Sequence, residues 1–251
     1  VINEHLFISD IHIGAFNNSV EEQIENDLID LVNYAIDRNA QIYILGDLFD
    51  YWMEFTNSKY IPSIGKKVLD IFEHYNKSIS KALFITGNHD NWTVNHFSER
   101  GFEVESEFRI IELFDKKVFL MHGDGLLNTK KMLKRPMFNR ILRNNFFLLL
   151  YRNLLPKGLA LSLMQLLSNS SKRIRSKDPI KLNMNAQSIL TSNIADVVLT
   201  GHDHIPRVET FNSGLYINLG NFFHERTLVR GINSELSLVR WHAKSKTFKN
   251  L

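Results

Sequence analysis

Five times along this 251-residue chain a short apolar run stops at a cluster of carboxylate, imidazole or amide side chains. The runs are His5–Ser9, Gln41–Leu45, Ala82–Thr86, Val118–Met121 and Val197–Thr200, and a sixth, Leu215–Leu219, comes after them. Short and rich in Ile, Leu, Phe and Val, they read as buried strands. The clusters behind the first five are Ser9-Asp10-Ile11-His12, Gly46-Asp47-Leu48-Phe49-Asp50, Gly87-Asn88-His89-Asp90, His122-Gly123-Asp124 and Gly201-His202-Asp203-His204. An open α/β sheet accommodates this repetition, because loops at the carboxyl ends of its strands converge in one crevice. Polar groups far apart in sequence can then meet.

The intervening segments fit that reading. Ser19-Val-Glu-Glu22 has the form of a capping box, and apolar Val20, Ile24, Leu28, Leu31, Val32, Ala35 and Ile36 share one helical face. A second helix is predicted from about Pro62 to about Asn76, burying Ile64, Val68, Leu69, Ile71 and Phe72. From Arg207 onward the chain reads as β-rich, with Gly214, Gly220 and Gly231 as turns. The expected fold is a layered α/β core of sheets flanked by helices.

Carboxylates, imidazoles and an amide oxygen form a borderline-hard donor set, suited to manganese, iron or zinc. A carboxylate can bridge two cations, one through each oxygen. Two cations about 3.5–4 Å apart suit water-driven phosphoester hydrolysis without a side-chain nucleophile. The chain has no cysteine, which excludes a disulfide framework, thiolate ligands and cysteine catalysis and fits a reducing compartment. It opens on Val and enters a strand at once, so residues upstream are expected.

The net charge of +3 conceals an asymmetry. Gly125 to Lys177 holds twelve Lys or Arg and no Asp or Glu, leaving 18 basic against 27 acidic residues elsewhere. Such a segment suits a polyanionic partner: nucleic acid, an anionic membrane or a phosphorylated substrate. Its apolar stretches, 146–151 and 159–167, are too short to span a bilayer, which takes about 20 residues. Two helices meeting near Pro156-Lys157-Gly158 are expected, with Leu142, Phe146, Phe147, Leu150, Leu159, Leu163 and Leu167 as an apolar face. Arg140, Arg143, Arg152, Lys157, Lys172, Arg173 and Arg175 supply the charge. Leaving from the rim of the polar clusters, the insertion could form a lid over them, or its apolar face could simply pack on the domain.

The ordered set D-x-H, GDxxD, GNHD, H-G-D and GHxH resembles the calcineurin-like metallophosphoesterases, from Ser9 to His204. The resemblance implies one domain over 1–251 with a helical lid at about 128–177, and two divalent cations, manganese foremost and iron or zinc as alternatives. It makes Asp10, His12 and His204 ligands of the first cation, Asn88, His122 and His202 ligands of the second, and Asp47 the bridge. His89 would meet the phosphate and protonate the leaving group, oriented by Asp90. Asp50 and Asp124 are candidates to hold a ligand imidazole or to cap a helix. The run Gly46-Asp-Leu-Phe-Asp-Tyr-Trp52 and the basic lid resemble, within that family, the UDP-2,3-diacylglucosamine hydrolases of lipid A synthesis. The chain departs from that branch's usual Arg after the ligand Asn by having His89. The likeness implies cleavage to UMP and the lipid 1-phosphate, in a cytoplasmic protein peripherally attached to the inner membrane. It places Asn88, His89, Trp52, Ser168, Lys172 and Arg175 against the substrate, with acyl chains between lid and core. Two rival readings stay open: a nucleic-acid or nucleotide phosphodiesterase of the same family, and a non-catalytic membrane-docking scaffold. With few aromatics interleaved among its charges, the segment suits nucleic acid less well than lipid.

Overall fold

The computed structural model describes residues 2–55, 64–126, 133–156, 158–160, 162–163 and 179–251. Two sheets face each other. The first has seven strands in the order β12-β11-β10-β1-β2-β3-β4, where β1 is Glu4–Ile8, β2 Gln41–Leu45, β3 Leu83–Ile85, β4 Glu103–Glu105, β10 Thr227–Ile232, β11 Glu235–His242 and β12 Thr247–Asn250. The second has five in the order β5-β6-β7-β9-β8: β5 Phe108–Leu113, β6 Lys116–Met121, β7 Val197–Thr200, β8 Arg207–Phe211 and β9 Gly214–Asn218. β1, β2, β3 and β4 run parallel, as do β6, β7 and β9. The carboxyl ends that matter therefore point one way within each sheet.

The apolar runs are continuous because both faces of these strands are covered. Phe7, Tyr43, Leu45, Leu83 and Ile85 join Val118, Leu120, Leu199 and Ile217 in one cluster between the sheets. The alternate residues Leu6, Ile8, Ile42 and Ile44 pack with α1 (Asn18–Arg38) and α2 (Lys66–Ser78), through Ile24, Leu28, Leu31, Val68 and Phe72. Phe119, Met121, Val198 and Tyr216 pack in the same way with Leu182, Ala186 and Ile189 of a helix at Pro179–Thr191. Full burial of one such side chain stabilises by about 1.5–3 kcal/mol.

Local chemistry moves some boundaries. α1 begins at Asn18, because Asn17 rather than Ser19 is the N-cap and accepts from the Val20 amide. The chain then leaves α1 through Asn39 at φ 52°, a conformation Asn tolerates better than most residues. α2 starts at Lys66, behind Gly65 in the left-handed region, and Pro62 lies outside the described residues. Gly231 sits within β10, paired with Leu236, and the turn falls on Asn233 and Ser234, both at positive φ.

Further helices among the described residues include α3 (His96–Glu99), α4 (Met137–Leu142) and α5 (Asn145–Leu154); Pro179–Thr191 is α6 and Phe222–Glu225 is α7. The expected single apolar face of the 142–167 stretch is divided between two sides. Leu142, Phe147, Leu148, Tyr151, Leu155 and Ala160 pack directly on Met53, Phe55 and Trp92, while Phe146, Leu149, Leu150, Leu154, Leu159 and Leu163 are exposed. Because α5 is apolar around most of its circumference, it contacts the core and still presents a second apolar side. Leu167 lies outside the described residues. Among the described residues no helix is long and apolar enough to cross a membrane.

Candidate metal centre

Each polar cluster sits where a parallel strand ends, and the ends of the two sheets meet. Asp10 and His12 follow β1, Asp47 follows β2, Asn88 follows β3, His122 follows β6, and His202 and His204 follow β7. The turns are tied across the sheets. His122 Nδ1 donates to the carbonyl of Leu45 at 2.8 Å, and the His202 amide donates to Asp10 Oδ2 at 2.8 Å. Asp10, His12, Asp47, His202 and His204 all take positive φ, between 53° and 76°. Such backbone is uncommon outside glycine, though Asp and His adopt it more readily than most residues. The approach is so close that a Cβ at Gly87 would run into the Asp47 carboxylate, and one at Gly201 into Ser9 and Asp10.

The seven expected ligands come together in two groups. In the first, His204 Nε2 lies 3.0 Å from Asp10 Oδ1 and 3.3 Å from His12 Nε2. In the second, His122 Nε2 lies 3.3 Å from Asn88 Oδ1 and 3.2 Å from His202 Nδ1. Asp47 Oδ2 lies between the groups, 3.6 Å from His12 Nε2 and 3.3 Å from His122 Nε2. A carbonyl can only accept, so the Leu45 contact keeps a proton on His122 Nδ1 and leaves Nε2, which faces Asp47 and Asn88, as the nitrogen a metal would take. That is the tautomer a metal ligand needs.

The electrostatics fit cations. Burial pushes the His12 imidazole down, but Asp10, Asp50 and Asp47 outweigh it and lift it to about 9. Burial likewise opposes charge on His122, and Asp47 and Asp10 raise it to about 9. Asp47 and Asp10, pushed up by burial, are held well below the ordinary carboxylate value by the surrounding imidazoles. Asp10 Oδ1 is buried with no aligned hydrogen-bond donor among the described residues. Convergent lone pairs around buried carboxylates suit two divalent ions, which would take the place of the protons these imidazoles otherwise hold. Asp10, His12 and His204, and separately Asp10, Asp47 and His122, lie close enough to hold a metal ion.

Surrounding residues take other roles than their spacing suggested. Asp50 Oδ1 is 3.5 Å from His12 Nδ1, so Asp50 backs an imidazole as expected. Asp124 does not. It is clasped by Arg135 at 2.9 Å and Arg143 at 3.3 Å, and against the upward push of burial these arginines hold it down at about 2. Arg143, counted among the charges of the basic segment, is buried. Asp90 was expected to orient His89, but its carboxylate is engaged by the amides of Gly87, Leu48 and Phe49 and joins two turns. His89 is oriented instead by its Nδ1–H, which donates to the Asp50 carbonyl at 2.6 Å. Trp52 is fully buried with its indole N–H on Glu54, so it packs under the site and offers the substrate no surface. Ser168, Lys172 and Arg175 lie outside the described residues.

Several supporting groups escaped the sequence reading. Ser9 Oγ donates to Asp10, Asn218 holds the Gly201 carbonyl, Asn221 holds the His204 carbonyl, and the Phe223 ring packs on His12 and His204. Asn218 and Asn221 carried a usable signal, as polar residues at the end of an apolar run. Ser9 also sat in view, within the first cluster.

The chain is 26% identical to UDP-2,3-diacylglucosamine hydrolase of Wigglesworthia glossinidia brevipalpis, over 94% of this chain and 93% of that protein. It is also 26% identical to the protein of the same name from Photorhabdus laumondii subsp. laumondii, over 97% and 93%. Among solved structures it aligns with Yfce, a phosphoesterase from E. coli, at 14% identity and a TM-score of 0.48, covering 98% of this chain and 96% of that one. The calcineurin-like phosphoesterase family matches residues 5–206, four-fifths of the chain and a span that contains the seven converging side chains. The chain belongs to that family and is a metal-dependent phosphoesterase.

Proposed function

We propose that this enzyme hydrolyses the pyrophosphate of UDP-2,3-diacylglucosamine, releasing UMP and 2,3-diacylglucosamine 1-phosphate. The observation that carries the reading is the two-sided apolar helix α5, rooted beside the metal centre and flanked by acid-free basic sequence. A substrate with acyl chains and phosphates matches both properties. The curated relatives bearing that hydrolase name support it along nearly the whole chain.

In this reading Asp10, His12 and His204 hold one cation, Asn88, His122 and His202 the other, and Asp47 bridges them. Manganese is the proposed ion, and the donor set also suits iron or zinc. Two bound cations would supply Lewis acidity toward a phosphoryl oxygen and lower the pKa of the attacking water. His89 has its Nδ1 committed to the Asp50 carbonyl, so any proton it gives the leaving group comes from Nε2. Residues 128–177 act as the lid, with acyl chains along the outward side of α5 rather than under it, since the inner side already packs on Met53 and Trp92. The same segment suits peripheral attachment to an anionic membrane surface.

The test is incubation of the purified protein with manganese and UDP-2,3-diacylglucosamine. UMP release that EDTA abolishes is expected. Absence of UMP alongside hydrolysis of a simple phosphodiester or an oligonucleotide would overturn the substrate assignment and leave the phosphoesterase chemistry standing.

A further inference from the structure

The turn that carries Asn88 and His89 is bracketed by the junction between α4 and α5. Ahead of Asn88, the buried Arg143 guanidinium donates to the carbonyls of Gly87 at 2.7 Å and Thr86 at 3.0 Å, and to that of Ser106 at 2.8 Å. Behind His89, the Trp92 indole N–H donates to the carbonyl of Leu142, the last residue of α4, at 2.8 Å. The same guanidinium faces Asp124, two residues beyond His122, with Nε 3.3 Å from Oδ2. Asp124 is held from its other side by Arg135, which lies just ahead of α4 and also reaches Glu107. One planar fork thus spans the two turns that present Asn88 and His122, whose ligand atoms stand 3.3 Å apart.

We propose that Arg143 is a positioning residue for the second cation: it sets the Asn88 turn against the His122 turn, so that metal uptake there depends on the seating of the α4–α5 junction. This rests on the ligand assignment above. The first group draws on none of these contacts; Asp10, His12 and His204 are tied instead by Ser9, Asp50 and Asn221. An arginine is suited to the task because its fork serves several acceptors at once in fixed geometry, while a lysine reaches them as a single point charge. An insertion rooted in this way would convey its own displacement to the metal site through two hydrogen-bonded contacts rather than through substrate alone.

The experiment is calorimetric titration of the metal-free full chain with manganese, comparing wild type, Arg143→Met, Arg143→Lys, Trp92→Phe and Arg230→Met. Arg230, on β10, pairs with Glu4 at the start of β1 and with Tyr34 of α1, and serves as a control for lost stability alone. Wild type is expected to take two ions. Arg143→Met should weaken one binding step by about tenfold to a hundredfold, as loss of a ligand's support does, and leave the other step in place. Arg143→Lys and Trp92→Phe should move the same step less far, and carry the comparison if Arg143→Met does not fold. Raised manganese should restore kcat in these variants without changing KM, and Arg230→Met should lower Tm alone. Two unchanged steps in the Arg143 variants, or equal weakening of both, would overturn the proposal. Fewer than two ions on wild type would overturn the metal reading itself.

Discussion

His89, proposed above as the acid, illustrates how one contact limits what a side chain can do. Its Nδ1 faces the Asp50 carbonyl at 2.6 Å, its ring meets the His12 ring edge-on with centroids 5.0 Å apart, and its own amide donates to Asp47 Oδ1. The residue is thus tied to the Asp47 carboxylate through its backbone, and in the proposed mechanism Nε2 is the nitrogen that would give up a proton. His89→Gln is expected to lower kcat by about a hundredfold or more, within the range for loss of general acid catalysis, and to leave metal content unchanged. The loss should be large on an alkyl phosphodiester, whose alkoxide needs a proton to leave, and should shrink on a p-nitrophenyl ester, whose leaving group departs without one. An equal loss on both esters would count against the acid role. At the same scale, positive φ falls on Asp10, His12, Asp47, His202 and His204 themselves, at a cost of order 1–3 kcal/mol per strained residue in the general case. The surrounding contacts, from Asn218 on Gly201 and from Asp90 on three amides, hold these turns against it.

Between elements, Glu54 joins the loop after β2 to the segment that opens α3. Its carboxylate accepts from the Trp52 indole, the Thr93 hydroxyl and the amides of Val94, Asn95 and His96. Burial pushes this carboxyl up, but those donors outweigh it and hold it below the ordinary value of 4.5. A depressed folded-state value means stabilisation that is complete above 4.5 and lost as pH falls through the folded value. Glu54→Gln should lower Tm at pH 7, where hydrogen bonds to a charged group are worth about 1.5–3 kcal/mol each before compensation. The gap between variant and wild type should narrow toward pH 4, which thermal melts across that window can follow; a constant gap would mean that the charge contributes nothing. Glu54 was not legible in the sequence, since its five donors converge only through tertiary approach. The strands β1, β2, β6 and β7 were legible because both faces are buried and the runs are unbroken. β4 and β5 were missed, since Glu103-Val-Glu105 and Phe108-Arg-Ile-Ile-Glu-Leu113 lie at sheet edges and alternate with charges that pair through Arg109. The residues that converge at the candidate centre could be read because each closes an apolar run. Arg143 could not, because nothing local separates it from the other cations of its segment.

At the scale of the whole molecule, α5 faces two environments. Leu148 and Tyr151 seal the loop carrying Met53 and Phe55, while Phe146 is 68% exposed, Leu150 40% and Leu154 73%. Such a row of exposed apolar side chains next to a polar catalytic centre marks an interaction surface. If acyl chains lie along it, the serine triple variant at Phe146, Leu150 and Leu154 should separate two activities. Hydrolysis of a small phosphodiester depends on the metal centre alone and should stay near wild type, because substitutions on an exposed face rarely disturb the fold. Hydrolysis of the diacylated substrate should fall. Burying one such side chain against hydrocarbon is worth about 1.5–3 kcal/mol, and partial loss over three positions amounts to about a hundredfold in kcat/KM. A UDP-sugar without acyl chains provides the internal comparison: its turnover should not distinguish variant from wild type. Equal loss on all three substrates would instead place the effect at the α4–α5 root, where Leu142 and Arg143 meet Trp92 and the Asn88 turn. Full activity of the triple variant on the diacylated substrate would move the acyl chains away from this side of α5.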